Sequence, residues 1–506
     1  MSDGFIENQQ KKLLSILKGM DKSALFNHLN LQAALIERDW HTMYEEFSEN
    51  VPLGNITSYL NTLRAITGDI RADDVHILSY PKIIENGSSI YAALHQGHAF
   101  PVNKMMLENS FVVEEMLQKG EITGIDAIKG KFLHIYDEVH TNQIFDVNAA
   151  SFHTLRYPHA PRKIKKKILP NLKDFQGVGA SRYQKIHAFI MVLEKYGAEV
   201  EAIFVRPQIL SEIALVLAQR EGRYIPLREL CPNLKLIVHF GENVAPYKQA
   251  IFEFLKGMTC QRMQLLAHPS GLFAYQENLY EKNVLRLSDH EGVFYEFIPV
   301  SDLRDDGSLK KHFRRRTAKD VKVGHQYVIA VSNEAGLLGF NTEVIVEIYS
   351  KDPFEVVYKG RSESLNYFGE SINPHALELM IEELNKNFTN YNFFIREYLL
   401  SDHVDEHKSY WLFELSSDVQ RISDEYLQSA ANSIHNEMSL QNSHYRQSML
   451  SSVMPLPEVY FLSVGGISNQ STDSYISHVD FDEGSELARA IIDSGVTYKK
   501  FTPKDV

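Results

Sequence analysis

The sequence predicts an α/β protein in two parts: a large N-terminal domain of β-sheets flanked by helices (1–365) and a small α+β C-terminal domain (366–506). Three observations carry this expectation. The chain's 506 residues exceed what one ordinary core holds. Between 183 and 254, strand-like and helix-like runs alternate, as they do in a sheet with helices on its faces. From 321 to 361, three β-rich runs separated by tight turns give way to a helical period, which reads as a hinge.

Composition narrows the class. Hydrophobic residues make up 44% and charged residues 23%, the balance of a soluble globular chain. A net charge of −13 argues against nucleic acid or an anionic membrane as the main partner. The basic runs at 162–167 and 314–316 are short and read as solvated faces. Two cysteines, Cys231 and Cys260, imply no disulfide framework and a reducing compartment. The first residues, MSDGFIENQQKKLL, lack the apolar core of a signal peptide, and no run of ~18 apolar residues occurs. A cytoplasmic protein is expected.

Taken in order, residues 1–62 read as helices, with Leu13, Leu14, Ile16, Leu17, Leu25, Leu29, Leu31 and Leu35 at helical spacing until Val51-Pro52 breaks the pattern. VHILSYPKII at 75–84 is β-rich and leads into the polar turn Glu85-Asn86-Gly87-Ser88-Ser89. An amphipathic helix is expected over 105–116, whereas 120–180 is poorly patterned. A helix over 183–196, a strand over 202–205 ended by Arg206-Pro207, a helix over 209–220 and a strand over 234–240 ended by Gly241 follow. Residues 263–276 and 292–303 are again β-rich, as are 323–331, 344–349 and 354–358. Beyond Gly360-Arg361 a helix over 374–387 is expected to bury Ala376, Leu377, Leu379, Met380 and Leu384. Strands near 392–399 and 410–415, a helix over 423–439, the run VYFLSV and a last helix near 486–492 complete the chain.

Several short islands resemble one family. The order "V.VG..Y…S…GL" followed by "P…..GR….N.FGE", the segment HAFPVNKMMLENSF at 98–111, FYEFIP at 294–299, and the C-terminal "H.SYWLFEL" and "N.HY" are similar to the auxin-responsive acyl acid–amido synthetases, a branch of the adenylate-forming enzymes. The resemblance follows order and spacing over nearly the whole chain. It implies an adenylate-forming-enzyme-like large domain with a small C-terminal lid. It also implies ATP and Mg²⁺ as cofactors and a carboxylic acid and an amine as partners. ATP would convert the acid to an acyl-adenylate, and the amine would displace AMP.

The resemblance also implies where the chemistry sits. A hydroxyl- and glycine-rich phosphate loop ending in Lys should precede Phe100-Pro101; here Ser88 and Ser89 remain and His98 stands near the Lys position. A Ser-Glu-Gly motif should hold the metal; here Ser270 replaces the Glu before Gly271, with His268 two residues earlier as a possible base. A Tyr-x-x-Gly-Asp segment should bind the ribose. Without a gap, Phe340 stands for the aromatic residue, Glu343 for the Gly and Val344 for the Asp; a one-residue slip brings Glu343 to the Asp position. The lid's Gly-Gly-Gln-x-Lys loop becomes Gly465-Gly466-Ile467-Ser468-Asn469-Gln470 with no Lys following. Arg361 and Glu370 are retained, the latter as a catalytic group near the reacting carboxylate. Arg206 and Gly241, each after a β-run, are candidates for substrate binding.

A hydrogen bond to a charged group is worth ~1.5–3 kcal/mol, so each lost nucleotide contact costs roughly ten- to a hundredfold. Four altered motifs on a retained scaffold therefore leave three readings open. The chain is an acid–amine ligase with an unusual nucleotide site, a non-adenylating binding or regulatory scaffold, or an ATP-independent acyltransferase acting on an already activated acyl group.

Overall fold

The computed structural model describes residues 4–21, 23–37, 39–56, 58–59, 61–62, 90–95, 98–135, 141–144, 147–150, 152–170, 182–240, 244–268, 270–289, 292–388, 393–467 and 487–503. The expected β-run at 75–84, Ser88, Ser89, Gly241 and residues 468–472 of the Gly-Gly loop lie outside them.

Eleven strands form one sheet in the order β12-β13-β14-β15-β11-β10-β9-β8-β7-β3-β6. Its parallel part comprises β3 (Lys131–His134), β6 (Ile168–Leu169), β7 (Val200–Val205) and β8 (Leu236–His239). Its antiparallel part comprises β10 (Gly271–Tyr275), β11 (Val284–Leu287), β12 (Val293–Pro299), β13 (Gln326–Asn333), β14 (Phe340–Lys351) and β15 (Phe354–Arg361). β9 (Gln261–His268) joins the two parts, running parallel to β8 through its first half and antiparallel to β10 through its second. The helices Arg182–Tyr196 and Pro207–Glu221 are the crossovers that a parallel sheet requires, and they bury one apolar cluster against β7 and β8.

A second sheet has the order β2-β1-β5-β4, from β1 (Ile90–His95), β2 (His98–Asn103), β4 (Thr141–Ile144) and β5 (Val147–Ala150). The described part of the expected phosphate-loop stretch is strand: β1 and β2 pair antiparallel, with His95 opposite His98. The stretch 120–180, unreadable in sequence, supplies β3 to β6. These strands have two to four residues, too short for a period of two to show.

The N-terminal helix Phe5–Met20 lies on β12. Gln9 exchanges both amide bonds with that strand, Nε2 donating to the Val293 carbonyl at 3.2 Å and Oε1 accepting from the Tyr295 N–H at 2.8 Å. Arg315, expected on a solvated face, is instead almost wholly buried. Its Nε and Nη2 donate to the two oxygens of Glu296 at 2.8 and 2.6 Å, and Nη1 donates to the carbonyls of Ser48 and Val51. The helix Trp40–Asn50 is fixed to the sheet in this way, with Tyr44 adding its hydroxyl to Glu296 at 2.8 Å.

A third sheet, β16-β17-β18-β19, is built from β16 (Ile395–His403), β17 (Lys408–Leu415), β18 (Glu458–Leu462) and β19 (Tyr498–Phe501). Its core draws on residues from Leu365 to Phe461. The helix Pro374–Phe388 buries Leu377, Met380, Ile381, Leu384 and Phe388, a strict i, i+3, i+4 stripe, while Ala376 and Leu379 of the expected face are exposed. The expected single helix over 105–116 is two helices, Lys104–Asn109 and Val112–Lys119. It breaks where the Ser110 hydroxyl donates back to the Leu107 carbonyl and Phe111 turns into the core. Among the described residues no helix is long and apolar enough to cross a membrane.

Candidate nucleotide and acyl site

Three of the segments singled out in sequence converge on one aromatic cluster. β2 brings Phe100, the turn between β9 and β10 brings His268, and the start of β14 brings Phe340. The His268 ring lies 4.9 Å from Phe100 edge-on, 5.3 Å from Phe340 and 5.7 Å from Phe273, on which it stacks. Phe100 and Phe340 meet edge to face at 5.5 Å. The segment around Val51-Pro52 completes this wall: Gly54 forms a parallel bridge to Phe340, donating to the Gly339 carbonyl and accepting from Asn341. A side chain at Gly339 would strike the Pro52 carbonyl at 2.4 Å, and its φ of +59° favours glycine.

His268 has a defined tautomer. The Ser270 N–H donates to Nδ1 at 3.1 Å and the Ser270 hydroxyl lies 2.7 Å from the same atom. Nδ1 therefore accepts, which leaves the proton of the neutral ring on Nε2. Ser270 is buried, so the two residues act as one closed turn rather than as a pair of open ligands.

Glu343 follows in β14 with φ +62°, the left-handed region that glycine favours. That backbone is one a glycine adopts at no steric cost, whereas here a glutamate holds it. Its side chain nonetheless reaches a functional partner: Oε2 accepts from Arg361 Nη2 at 2.9 Å. Arg361 stands opposite Val344 in the β14–β15 ladder and also lies 3.6 Å from Glu363. All three side chains keep some exposed surface (17% for Glu343, 35% for Glu363, 42% for Arg361), so a ligand can reach them. Glu363, which sequence reasoning missed, is pushed up to about 8 by its partial burial and then by the Glu343 carboxylate, against the opposing pull of Arg361. Its position two residues after Gly360-Arg361 was the available signal.

The remaining candidates lie apart from this cluster. Glu370 is fully buried; its carboxylate accepts the N–H groups of Tyr367 and Phe368 at 3.1 and 2.8 Å and faces Asp402 inside the third sheet's core. In this conformation it closes its own turn and does not line an open cleft. Arg206 caps the helix Pro207–Glu221 at the carboxyl end of β7. The neighbouring strands end on histidines, His134 buried and His239 half-buried. His134 on β3 lies 3.5 Å from Glu114, which also pairs with Arg156. His239 ends β8, held down at about 4 by burial and by Arg262. Carboxyl ends of parallel strands are where open α/β sheets take ligands. His98 lies on β2 and Ser88, Ser89 and Gly241 are outside the described residues, so no side-chain geometry attaches to these four.

The residues present fit part of a nucleotide. An aromatic wall and a carboxylate beside an arginine suit a nucleoside. The turn that should carry the metal carboxylate offers a hydroxyl and an imidazole, a poor donor set for Mg²⁺. Among the described residues no three His, Cys, Asp or Glu side chains gather as metal ligands.

Known proteins share the fold. An acyl acid amido synthetase, GH3.15, superposes with a TM-score of 0.72 over 99% of this chain and 95% of its own, at 12% identity. The AtGH3.15 enzyme in complex with 2,4-DB gives 0.67 over 100% and 96%, also at 12% identity. A 2-hydroxyisobutyryl-CoA ligase in the postadenylation state gives 0.61 over 97% and 91%, at 11% identity. No curated protein sequence matches the chain. The fold is that of the adenylate-forming enzymes. Residues 287–358 match the GH3 family central domain, and this stretch includes Phe340 and Glu343.

Proposed function

We propose that the protein is an acid–amine ligase that activates a carboxylic acid as its acyl-adenylate and passes the acyl group to an amine. The observation that carries this reading is the convergence of Phe100, His268 and Phe340 from three separated segments, with Glu343 and Arg361 further along the same β14–β15 pair. In the first step a carboxylate oxygen attacks the α-phosphorus of ATP and pyrophosphate leaves. In the second the amine attacks the acyl carbon, AMP leaves and the nitrogen gives up a proton; AMP is a far better leaving group than the oxide that direct attack on a carboxylate would have to expel.

The chain's own residues bind and orient. The aromatic wall packs the base, Glu343 accepts from the ribose hydroxyls, and Arg361 holds Glu343 in place. Arg206 at the end of β7 pairs with the substrate carboxylate, and residues 366–506 act as the lid over residues 1–365. Pyrophosphate release on adding ATP, Mg²⁺ and a panel of aromatic and aliphatic acids tests the reading; the expected result is acid-dependent release that falls roughly tenfold or more in Arg361→Ala. Release independent of any acid, or none with the whole panel, rules it out.

A second reading rests on Ser270 standing where the family's metal-binding Glu belongs. In it the protein condenses a supplied acyl-adenylate or thioester with an amine and does not use ATP. Amide formation from synthetic acyl-adenylate in the absence of ATP separates the two.

A further inference from the structure

We infer that Glu363 is a second acidic residue of the nucleotide site, and that Glu343 and Glu363 together, fastened by Arg361, select a ligand bearing a vicinal diol. The inference rests on the reading that a nucleotide binds here. It deepens that reading by naming the group that sets ribose specificity.

The geometry comes first. Arg361 donates to Glu343 at 2.9 Å and lies 3.6 Å from Glu363, so one guanidinium serves two carboxyl groups. The two carboxyls thus flank the same guanidinium, and the charge of Glu343 bears on Glu363. Two ionised carboxylates in that position repel, whereas one carboxylate and one carboxylic acid form a hydrogen bond. The pair with its arginine then sums to zero charge and offers one donor beside several acceptors. A vicinal diol can insert into that hydrogen bond: its hydroxyls donate to Glu343, and one of its oxygens takes over the acid O–H of Glu363. A single aspartate can only accept.

The flanking groups leave the proton to this pair: on the segment that meets Ser362 through Gly307, Asp306 is held low by Ser308 and more weakly by Arg304, against its partial burial. Along the β14–β15 ladder the next charges, Glu347 and Lys359, pair with each other at 3.0 Å. From the helix Pro374–Phe388, His375 faces Gly360 and engages Glu378 at 3.4 Å. Asn373 donates to the carbonyls of Arg361 and Glu363 and carries no charge. Glu363 is raised, so its proton is present below about 8 and lost as pH climbs through that value.

The test is equilibrium binding of ATP and of 2′,3′-dideoxy-ATP to the full chain, between about pH 6.5 and 9.5. The wild type is expected to prefer ATP by roughly tenfold below pH 8 and to lose that preference above it. Glu363→Gln keeps a donor that cannot ionise and should make the preference independent of pH; Glu363→Ala should abolish it throughout. A preference that ignores pH in the wild type, or survives in Glu363→Ala, overturns the inference. A carboxyl ¹³C NMR titration without ligand keeps the two questions apart. A resonance titrating near 8 that vanishes in Glu363→Gln supports the pair even if neither nucleotide binds, in which case the nucleotide reading is what fails. If that resonance is missing, the pair itself fails.

Discussion

Asp402 shows how one carboxyl can govern a core. It is 1% exposed on β16 and faces Glu370, which is 0% exposed. Burial and then the Glu370 carboxyl hold Asp402 well above the ordinary carboxylate range, against a smaller opposing pull from Ser409. Other titratable groups nearby are Tyr445, which Asp402 helps to raise, and His435, whose Nδ1 lies 2.7 Å from the Tyr445 hydroxyl. A group raised in the folded state contributes stability fully below its unfolded value and loses it as pH rises through the folded one. Wild-type stability should therefore decline toward alkaline pH. Asp402→Asn, which cannot ionise, should flatten that decline by on the order of 1–3 kcal/mol at the alkaline end. Thermal unfolding of both proteins from about pH 5 to 9 checks this, and parallel profiles would contradict it. Glu370 was legible in sequence as a motif residue. Its partner was not, because the contact joins a turn to a strand thirty-odd residues later and leaves no local pattern.

Among the elements, β14, β15 and the segment leaving them hold the site together. The strands were readable because β-branched and aromatic residues alternate between glycine turns, and the structure places β13, β14 and β15 over the expected runs with ends shifted by a few residues. Which face of the helix Pro374–Phe388 is buried was misread, because Ala376 and Leu379 look apolar but fall off the stripe set by Leu377, Met380, Ile381 and Leu384. The segment after Arg361 is pinned by Gly307, where an added Cβ would sit 1.6 Å from the Ser362 carbonyl oxygen and φ is +80°. Gly307→Ala is expected to destabilise the protein by more than the ~1–2 kcal/mol that a left-handed alanine costs, since backbone must also move. Chemical denaturation measures this, and a variant within about 0.5 kcal/mol of wild type would refute the tight packing. The same substitution at Gly222 or Gly495, where a Cβ meets nothing within 4 Å, serves as the control for conformation alone.

Across the whole molecule, polar contacts join the third sheet and the helix Pro374–Phe388 to helical segments beside the large sheet. Glu397 of β16 is 2% exposed and accepts from Gln208 Nε2 and, at 3.3 Å, from the Tyr247 hydroxyl. Asn385 donates to the Pro246 carbonyl and Lys248 pairs with Glu382 at 2.6 Å. Neither side of this junction was visible in sequence, since each residue reads locally as an ordinary helix or strand position. The alternation of strands and helices gave the α/β class, and the quoted islands gave the converging segments. The Glu343–Arg361–Glu363 cluster emerges only in three dimensions, because its members come from two strands and the segment that follows them. The central claim, that this scaffold still binds a nucleotide after its motifs have changed, is tested most directly by calorimetric titration of ATP with Mg²⁺ into the full chain. Saturable binding to one site, weakened roughly tenfold in Arg361→Ala, is the predicted result; no binding heat in the wild type, or equal affinity in the variant, would contradict it.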